Sequence, residues 1–133
     1  MIVIDASATV ELVLGLSAGA AVEARIASPG ETLHAPHLLS AEVAQVIRRH
    51  EARNQIDAVR GALALTDAAD LDVTYHDHVP LLPRVWELRG NLSAYDALYV
   101  ALAEAIDAPL VTSDRRLAAA SGHRATVEAV GQP

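Results

Sequence analysis

The chain opens on Ile2-Val3-Ile4, an apolar run with no polar residue interleaved, and the run ends on Asp5. A half-exposed strand alternates apolar and polar side chains, so an unbroken run this short reads as a buried strand over residues 1–5. A comparable stretch, Leu110-Val111-Thr112, follows Pro109 and reads as another strand. Between and around these two, helical patterns cover residues 8–14 and 19–28, punctuated by Gly15 and Pro29-Gly30. Residues 32–35 suit a second strand, and Pro36, a residue favoured in a first helical turn, is expected to open a helix running to about Arg53. A helix over 56–69, a strand over 71–75 and helices near 79–89 and 93–106 follow, the last two parted by Gly90-Asn91. A short helix over 114–120 and a strand over 126–130 complete the pattern. Strands alternating with helices predict an α/β fold, a three-layer sandwich with a mainly parallel central sheet flanked by helices.

A chain of 133 residues supports one hydrophobic core, so a single domain spanning residues 1–133 is expected. Aromatic residues make up only 3%, which leaves Ala, Val, Leu and Ile to fill that core. The absence of Cys removes disulfides, thiolate metal sites and cysteine nucleophiles together, and favours a cytoplasmic protein. No apolar run approaches the roughly 18 residues that span a bilayer, so no membrane partner is expected. No basic segment precedes Ile2, and a cleaved signal peptide is not expected. All 10 basic residues are Arg. Without Lys, phosphate-loop nucleotide binding and Schiff-base catalysis are excluded. The formal net charge of -7 argues against a broad non-specific nucleic-acid binder, while leaving room for a local Arg-lined groove.

Four carboxylates stand where a globular domain would place an apolar or capping residue: Asp5, Glu42, Asp96 and Asp114. Asp5 and Asp114 each follow a predicted buried strand at its carboxyl end, where open parallel sheets gather their ligands. The competing reading is helix capping, since Asp is a preferred N-cap and a helix begins after each. Asp96 belongs to a Ser93-x-x-Asp96 pattern that resembles a capping box. The neighbouring stripe of Leu92, Tyr95, Tyr99 and Leu102 nevertheless turns it toward the inward face of its helix. Glu42 lies four residues after Leu38 and four before Val46, with Leu39 and Val43 alongside, so its carboxylate falls on the apolar stripe. Its alternative is an ion-paired or snorkelling side chain.

Repulsion among several converging carboxylates is relieved by one or two divalent cations held through oxygen. With no Cys and no regular His spacing, Mg2+ or Mn2+ suits the set better than zinc. Such ions activate water and steady the charge that develops on a phosphodiester.

The spellings around the acids are Val3-Ile4-Asp5-Ala6-Ser7, Pro36-His37-Leu38-Leu39-Ser40-Ala41-Glu42-Val43, Leu92-Ser93-Ala94-Tyr95-Asp96-Ala97-Leu98-Tyr99 and Leu110-Val111-Thr112-Ser113-Asp114. In order, and across nearly the whole chain, they resemble the PIN-domain ribonucleases, and more narrowly the VapC toxins of bacterial toxin–antitoxin pairs. The resemblance implies that Asp5, Glu42, Asp96 and Asp114 hold Mg2+ or Mn2+ and support hydrolytic cleavage of RNA by an activated water. It also implies a homodimer and a cognate antitoxin whose tail occupies the active groove. Ser7 and Thr112 match hydroxyl positions that orient ligands or water, with ordinary cap and strand-end hydrogen bonding as the alternative. One departure stands out: many relatives carry a further acid shortly after the Thr-x-Asp segment, where this chain has Arg115-Arg116-Leu117. The expectation is therefore one tightly held ion, with a second arriving on substrate.

Arg49 and Arg53 lie seven and eleven residues beyond Glu42, in nearly the same helical direction, and are candidates for RNA or antitoxin contact along a groove. A solvated helix end stabilised by cations is the alternative. Arg115 and Arg116, beside Asp114, carry the same pair of readings. His76-Asp77-His78 is weak as a metal motif, and His34 and His37 have no matching partner set. Two other functions remain open at this point. One is a non-catalytic α/β module holding an Arg-rich partner in the acidic cleft. The other is an aspartyl-nucleophile phosphatase, which usually needs a second Asp two residues after the first, where Ser7 stands.

Overall fold

The computed structural model describes residues 1–131. Five parallel strands form one sheet: β1 (Ile2–Ile4), β2 (Leu33–Pro36), β3 (Val73–His76), β4 (Leu110–Thr112) and β5 (Val127–Ala129). The strand order is β3-β2-β1-β4-β5. The helices are α1 (Ala6–Val13), α2 (Gly19–Ile26), α3 (Leu38–Ala52), α4 (Ala58–Asp70), α5 (Leu82–Glu87), α6 (Ala94–Ile106) and α7 (Arg115–Ala119). The expected α/β fold on a mainly parallel sheet is what forms.

The order of strands decides where chemistry can occur. From β1 the chain steps outward through β2 and β3, then returns to the other side of β1 and continues through β4 to β5. The carboxyl ends of β1 and β4 therefore flank the point at which the winding reverses, which is where open parallel sheets leave a crevice. β1 is central, and its three residues are fully buried, as the unbroken apolar run requires.

Around this sheet the core is aliphatic. Ile2, Val3, Ile4, Val22, Val43, Val100, Leu102, Leu110 and Val111 are each at most 2% exposed, with Tyr99 the one large aromatic ring among the deeply buried side chains. Burial of each such aliphatic residue contributes about 1.5–3 kcal/mol against exposure. α6 runs through this core with seven consecutive buried residues, Ala97 to Ala103, its small alanines allowing close approach to the sheet. No helix among the described residues is long and apolar enough to cross a membrane.

Two expectations need correction. Pro36 does not open α3; it is the last residue of β2, paired with His76 of β3, and α3 starts at Leu38. A proline has no N–H to give the ladder, which suits a strand's end as well as a helix's start. The His78 Nε2 atom, reaching across from the loop after β3, accepts the Leu38 N–H at 2.9 Å and takes over the capping of α3. The expected helix near 79–89 is also two pieces, a 3-10 turn at Val79–Leu81 followed by α5, with Pro80 and Pro83 each in a first turn. Elsewhere the element ends shift by at most two residues. α1, for instance, starts at Ala6 because Asp5 caps it.

Candidate functional site

Asp5 leaves β1 and caps α1, its Oδ1 accepting the Ala8 N–H at 2.9 Å. Asp114 leaves β4 and caps α7, accepting the Arg116 N–H at 2.9 Å. Capping and site membership, posed as competing readings, coexist, because a strand–Asp–helix junction puts the cap residue at the carboxyl edge of the sheet. Asp96 enters from the first turn of α6, where Ser93 Oγ accepts the Asp96 N–H at 3.2 Å. Half of the expected capping box therefore forms, through the serine, while the Asp96 carboxylate lines a cleft. Glu42 comes from the inward stripe of α3, between buried Leu39 and Val43.

These four acids, with Ala6, Ser7 and Tyr99, line a single cleft of about 130 Å³. A larger apolar cavity of about 190 Å³ lies between Leu39, Val43, Leu65, Ala68 and Tyr75, and holds no carboxylate. The chemistry rather than the volume points to the smaller cleft.

Asp5 is 5% exposed and its oxygens are held on several sides. Ser7 Oγ donates to Oδ1 at 2.7 Å and Thr112 Oγ1 donates to Oδ2 at 2.5 Å. The two hydroxyls are themselves fixed: Ser7 Oγ accepts the Ser113 N–H at 3.0 Å and Thr112 Oγ1 accepts the Asp114 N–H at 2.9 Å. The arrangement ties the β1 and β4 ends together through side chains and fixes Asp5 in one orientation.

No arginine pairs with Asp5 or Glu42 among the described residues, and the electrostatics record the strain. Burial pushes the Asp5 carboxyl up to about 6, against the opposing effect of the Ala8, Thr112 and Ser7 hydrogen bonds, with the Asp114 charge adding to the rise. Glu42 is raised by burial and by Asp96, opposed by a hydrogen bond from Tyr99. Asp96 is raised by burial and then by Asp114, while Arg116 and Ser93 act the other way. Three neighbouring carboxyls are thus all biased toward their neutral forms, which is what uncompensated acids do when buried together.

An all-oxygen set of carboxylates and hydroxyls is the donor chemistry of a hard divalent cation. Among the described residues, however, no three His, Asp or Glu side chains already stand as a ready-made metal cage. The four acids share a cleft, and the raised proton affinities of Asp5, Glu42 and Asp96 supply a drive for a cation to draw them together. The donor set fits Mg2+ or Mn2+ on these grounds.

The other sequence candidates fall around the cleft unequally. Arg116 is largely exposed, with Nε 3.6 Å from Asp114 Oδ1. It lines a second cavity of about 210 Å³ with Asn91 and Ser93, and that cavity shares Asp96 and Asp114 with the cleft. Arg115 is exposed and lines neither cavity. Arg49 and Arg53 are exposed at the far end of α3, roughly 10 and 16 Å along the axis from Glu42 by helical rise, and line neither cavity. The histidine motif is structural: His76 Nε2 bonds His34 Nδ1 at 2.9 Å, Asp77 accepts the Val79 N–H at 3.1 Å, and His78 caps α3. The residue that sequence reasoning passed over is Tyr99. Its hydroxyl donates to Glu42 Oε1 at 2.6 Å, and its place three residues after Asp96 was the available signal.

Acids gathered at the switch point of a parallel sheet, with oxygen donors only and no lysine, define a site suited to metal-assisted chemistry on phosphate esters. The PIN-domain profile matches residues 2–122, and the chain belongs to that family, among the VapC ribonucleases. Ribonuclease VapC9 of Mycobacterium tuberculosis is 46% identical over 117 residues, covering 88% of each chain. Ribonuclease VapC12 of the same organism is 42% identical over 130 residues, covering 98% of this chain and 99% of its own. In structure, Mycobacterium tuberculosis VapC20, described as a sarcin-ricin loop cleaving toxin, superposes with a TM-score of 0.70 over 90% of this chain and 94% of its own, at 16% identity. PAE2754 from Pyrobaculum aerophilum gives 0.71 over 95% of this chain and 81% of its own, at 23% identity. Both share this fold.

Proposed function

We propose that this chain is a divalent-metal-dependent endoribonuclease, acting as the toxin of a toxin–antitoxin pair in the cytoplasm. The observation that carries the reading is the convergence of Asp5, Glu42, Asp96 and Asp114 on one cleft at the sheet's switch point, in a member of a ribonuclease family. Residues 1–133 then form one nuclease domain. An RNA substrate, a cognate antitoxin and a homodimeric state belong to the same reading.

Asp5, Asp96, Asp114 and Glu42 would hold Mg2+ or Mn2+. When bound, the cation supplies Lewis-acid stabilisation of phosphoryl charge and makes a water a better nucleophile. Ser7 and Thr112 hold Asp5 in place by donating to its two oxygens. The charged cleft excludes a broad anionic surface, so RNA enters where the cation offsets the acids and where Arg116 sits beside Asp114. Asp96, half-buried and with raised proton affinity, is the acid we assign as proton acceptor in the cleft. The phosphatase alternative lacks its usual second Asp, since Ser7 stands two residues after Asp5 and donates to the Asp5 carboxylate instead.

The test is cleavage of total cellular RNA by purified, antitoxin-free protein with Mg2+ or Mn2+, against EDTA and Asp96→Asn controls, with the new ends mapped. Discrete cuts lost in both controls are expected. Cuts that persist in both would refute the assignment of the site. A folded, metal-loaded protein that cuts nothing would favour the non-catalytic binding module.

A further inference from the structure

Glu42 occupies an unusual position for a carboxylate. It is half-buried on the apolar stripe of α3, and its one hydrogen bond among the described residues comes from the Tyr99 hydroxyl, 2.6 Å from Oε1. Tyr99 is 1% exposed, so its ring is locked in the core and its hydroxyl has little freedom to turn elsewhere. A glutamate on a helix has three rotatable bonds and would otherwise lean out toward water.

Tyr99 also stands three residues after Asp96 on α6, so both face the same side of that helix. One helix face thus offers the Asp96 carboxylate to the cleft directly and holds the Glu42 carboxylate there through a phenol. The hydrogen bond takes Glu42 Oε1 and leaves Oε2 without a hydrogen bond among the described residues, on a side chain that lines the cleft. Among the described residues no cation pairs with Glu42, so the bond orients the carboxylate without cancelling the charge that a metal would need.

From this geometry we infer that Tyr99 is a positioning residue for the metal site: its hydroxyl holds Glu42 in the orientation that places its second oxygen toward a divalent cation. The inference rests on the metal-dependent reading above and assigns a role to a residue outside the four acids. Partners that orient a metal ligand in this way typically contribute 10- to 100-fold to metal affinity.

The experiment is a Mn2+ titration by calorimetry of four proteins: wild type, Tyr99→Phe, Glu42→Ala and the double variant, each also melted in EDTA. Phenylalanine keeps the ring that fills the core. The expected result is a loss of Mn2+ affinity of about tenfold or more in Tyr99→Phe, with no further loss when the same change is made on Glu42→Ala. A purely structural tyrosine would instead lower the melting temperature in EDTA and leave Mn2+ affinity unchanged, and that outcome overturns the inference. An equal loss on both backgrounds also overturns it. Should Tyr99→Phe not fold, Glu42→Asp shortens the arm beyond reach of the hydroxyl and leaves the core ring intact; wild-type Mn2+ affinity in that variant overturns the inference. Wild-type protein that binds no Mn2+ at all removes the metal reading itself, a failure distinct from unchanged affinity in Tyr99→Phe.

Discussion

Asp5→Asn isolates the cost of burying charge in the cleft. In the folded protein the Asp5 carboxyl is carried from 3.8 up to about 6, chiefly by burial. A raised value means that the folded state binds the proton more tightly than the unfolded chain does. The associated stability is fully present below about pH 4 and is lost as pH rises through about 6. At about 1.4 kcal/mol per tenfold change in proton affinity, the whole penalty comes to about 3 kcal/mol. About 2 kcal/mol of it falls between roughly pH 4.5 and pH 7.5. For a domain of this size that is about 8 °C in melting temperature. Asparagine keeps an acceptor for the Ser7 and Ala8 donors that now reach Oδ1, and it carries no charge. Its substitution adds an offset of either sign that does not depend on pH.

The assay is denaturant unfolding of metal-free wild type and Asp5→Asn in EDTA across that pH range. The stability difference between them is expected to move by about 2 kcal/mol in favour of the variant as pH rises. Neighbouring Glu42 and Asp96 are raised as well and steepen the wild-type curve, but they are present in both proteins and largely cancel in the difference. A difference that stays flat from pH 4.5 to 7.5 would refute the reasoning, because it would mean that Asp5 titrates alike in folded and unfolded chains. Mg2+ added at pH 7.5 is expected to stabilise wild type and to lose that effect near pH 4.5, where protons compete for the same oxygens.

Asp114→Asn keeps an effective N-cap on α7 and removes one charge facing Asp5 and Asp96. The metal-free melting temperature is expected to rise by a few degrees while RNA cleavage is lost, a trade of stability for function checked by scanning in EDTA. Thr112→Val removes the hydroxyl that donates to Asp5 and accepts the Asp114 N–H, and is expected to cost about 1–3 kcal/mol by chemical denaturation along with most of the activity. Gly19→Ala puts a methyl group 2.5 Å from the Glu11 carbonyl oxygen, where backbone has to move, so about 1–3 kcal/mol of stability is expected to be lost with Mn2+ affinity unchanged.

Much of the fold was legible because β1 and β4 are unbroken apolar runs and because the helices between strands carry ordinary stop signals. The errors came where a local preference had two uses. Pro36 suits the end of a strand as well as a helix start, and what decided between them was His78, a residue 42 positions further along the chain that caps α3 from another loop. The acids at Asp5 and Asp114 were legible for a related reason: each follows a buried strand directly, so strand position and sheet topology together dictate where the carboxylate lies.

Tyr99 shows where that kind of reading stops. In sequence it is one member of an apolar stripe on α6, and a stripe predicts only which way a ring points. Whether its hydroxyl meets a partner depends on α3, whose Glu42 lies 57 positions earlier, approaching across the sheet to hydrogen-bond distance. The spacing Asp96-x-x-Tyr99 makes the same demand on the helix whether the phenol is idle or holds a ligand. A buried tyrosine hydroxyl must be given an acceptor, however, and in an aliphatic core the acceptors are few. On a helix that already delivers an acid to a cleft, the nearest acceptor available one turn further along is another acid of the same cleft. That rule turns a core tyrosine into a testable pointer to the carboxylate opposite it.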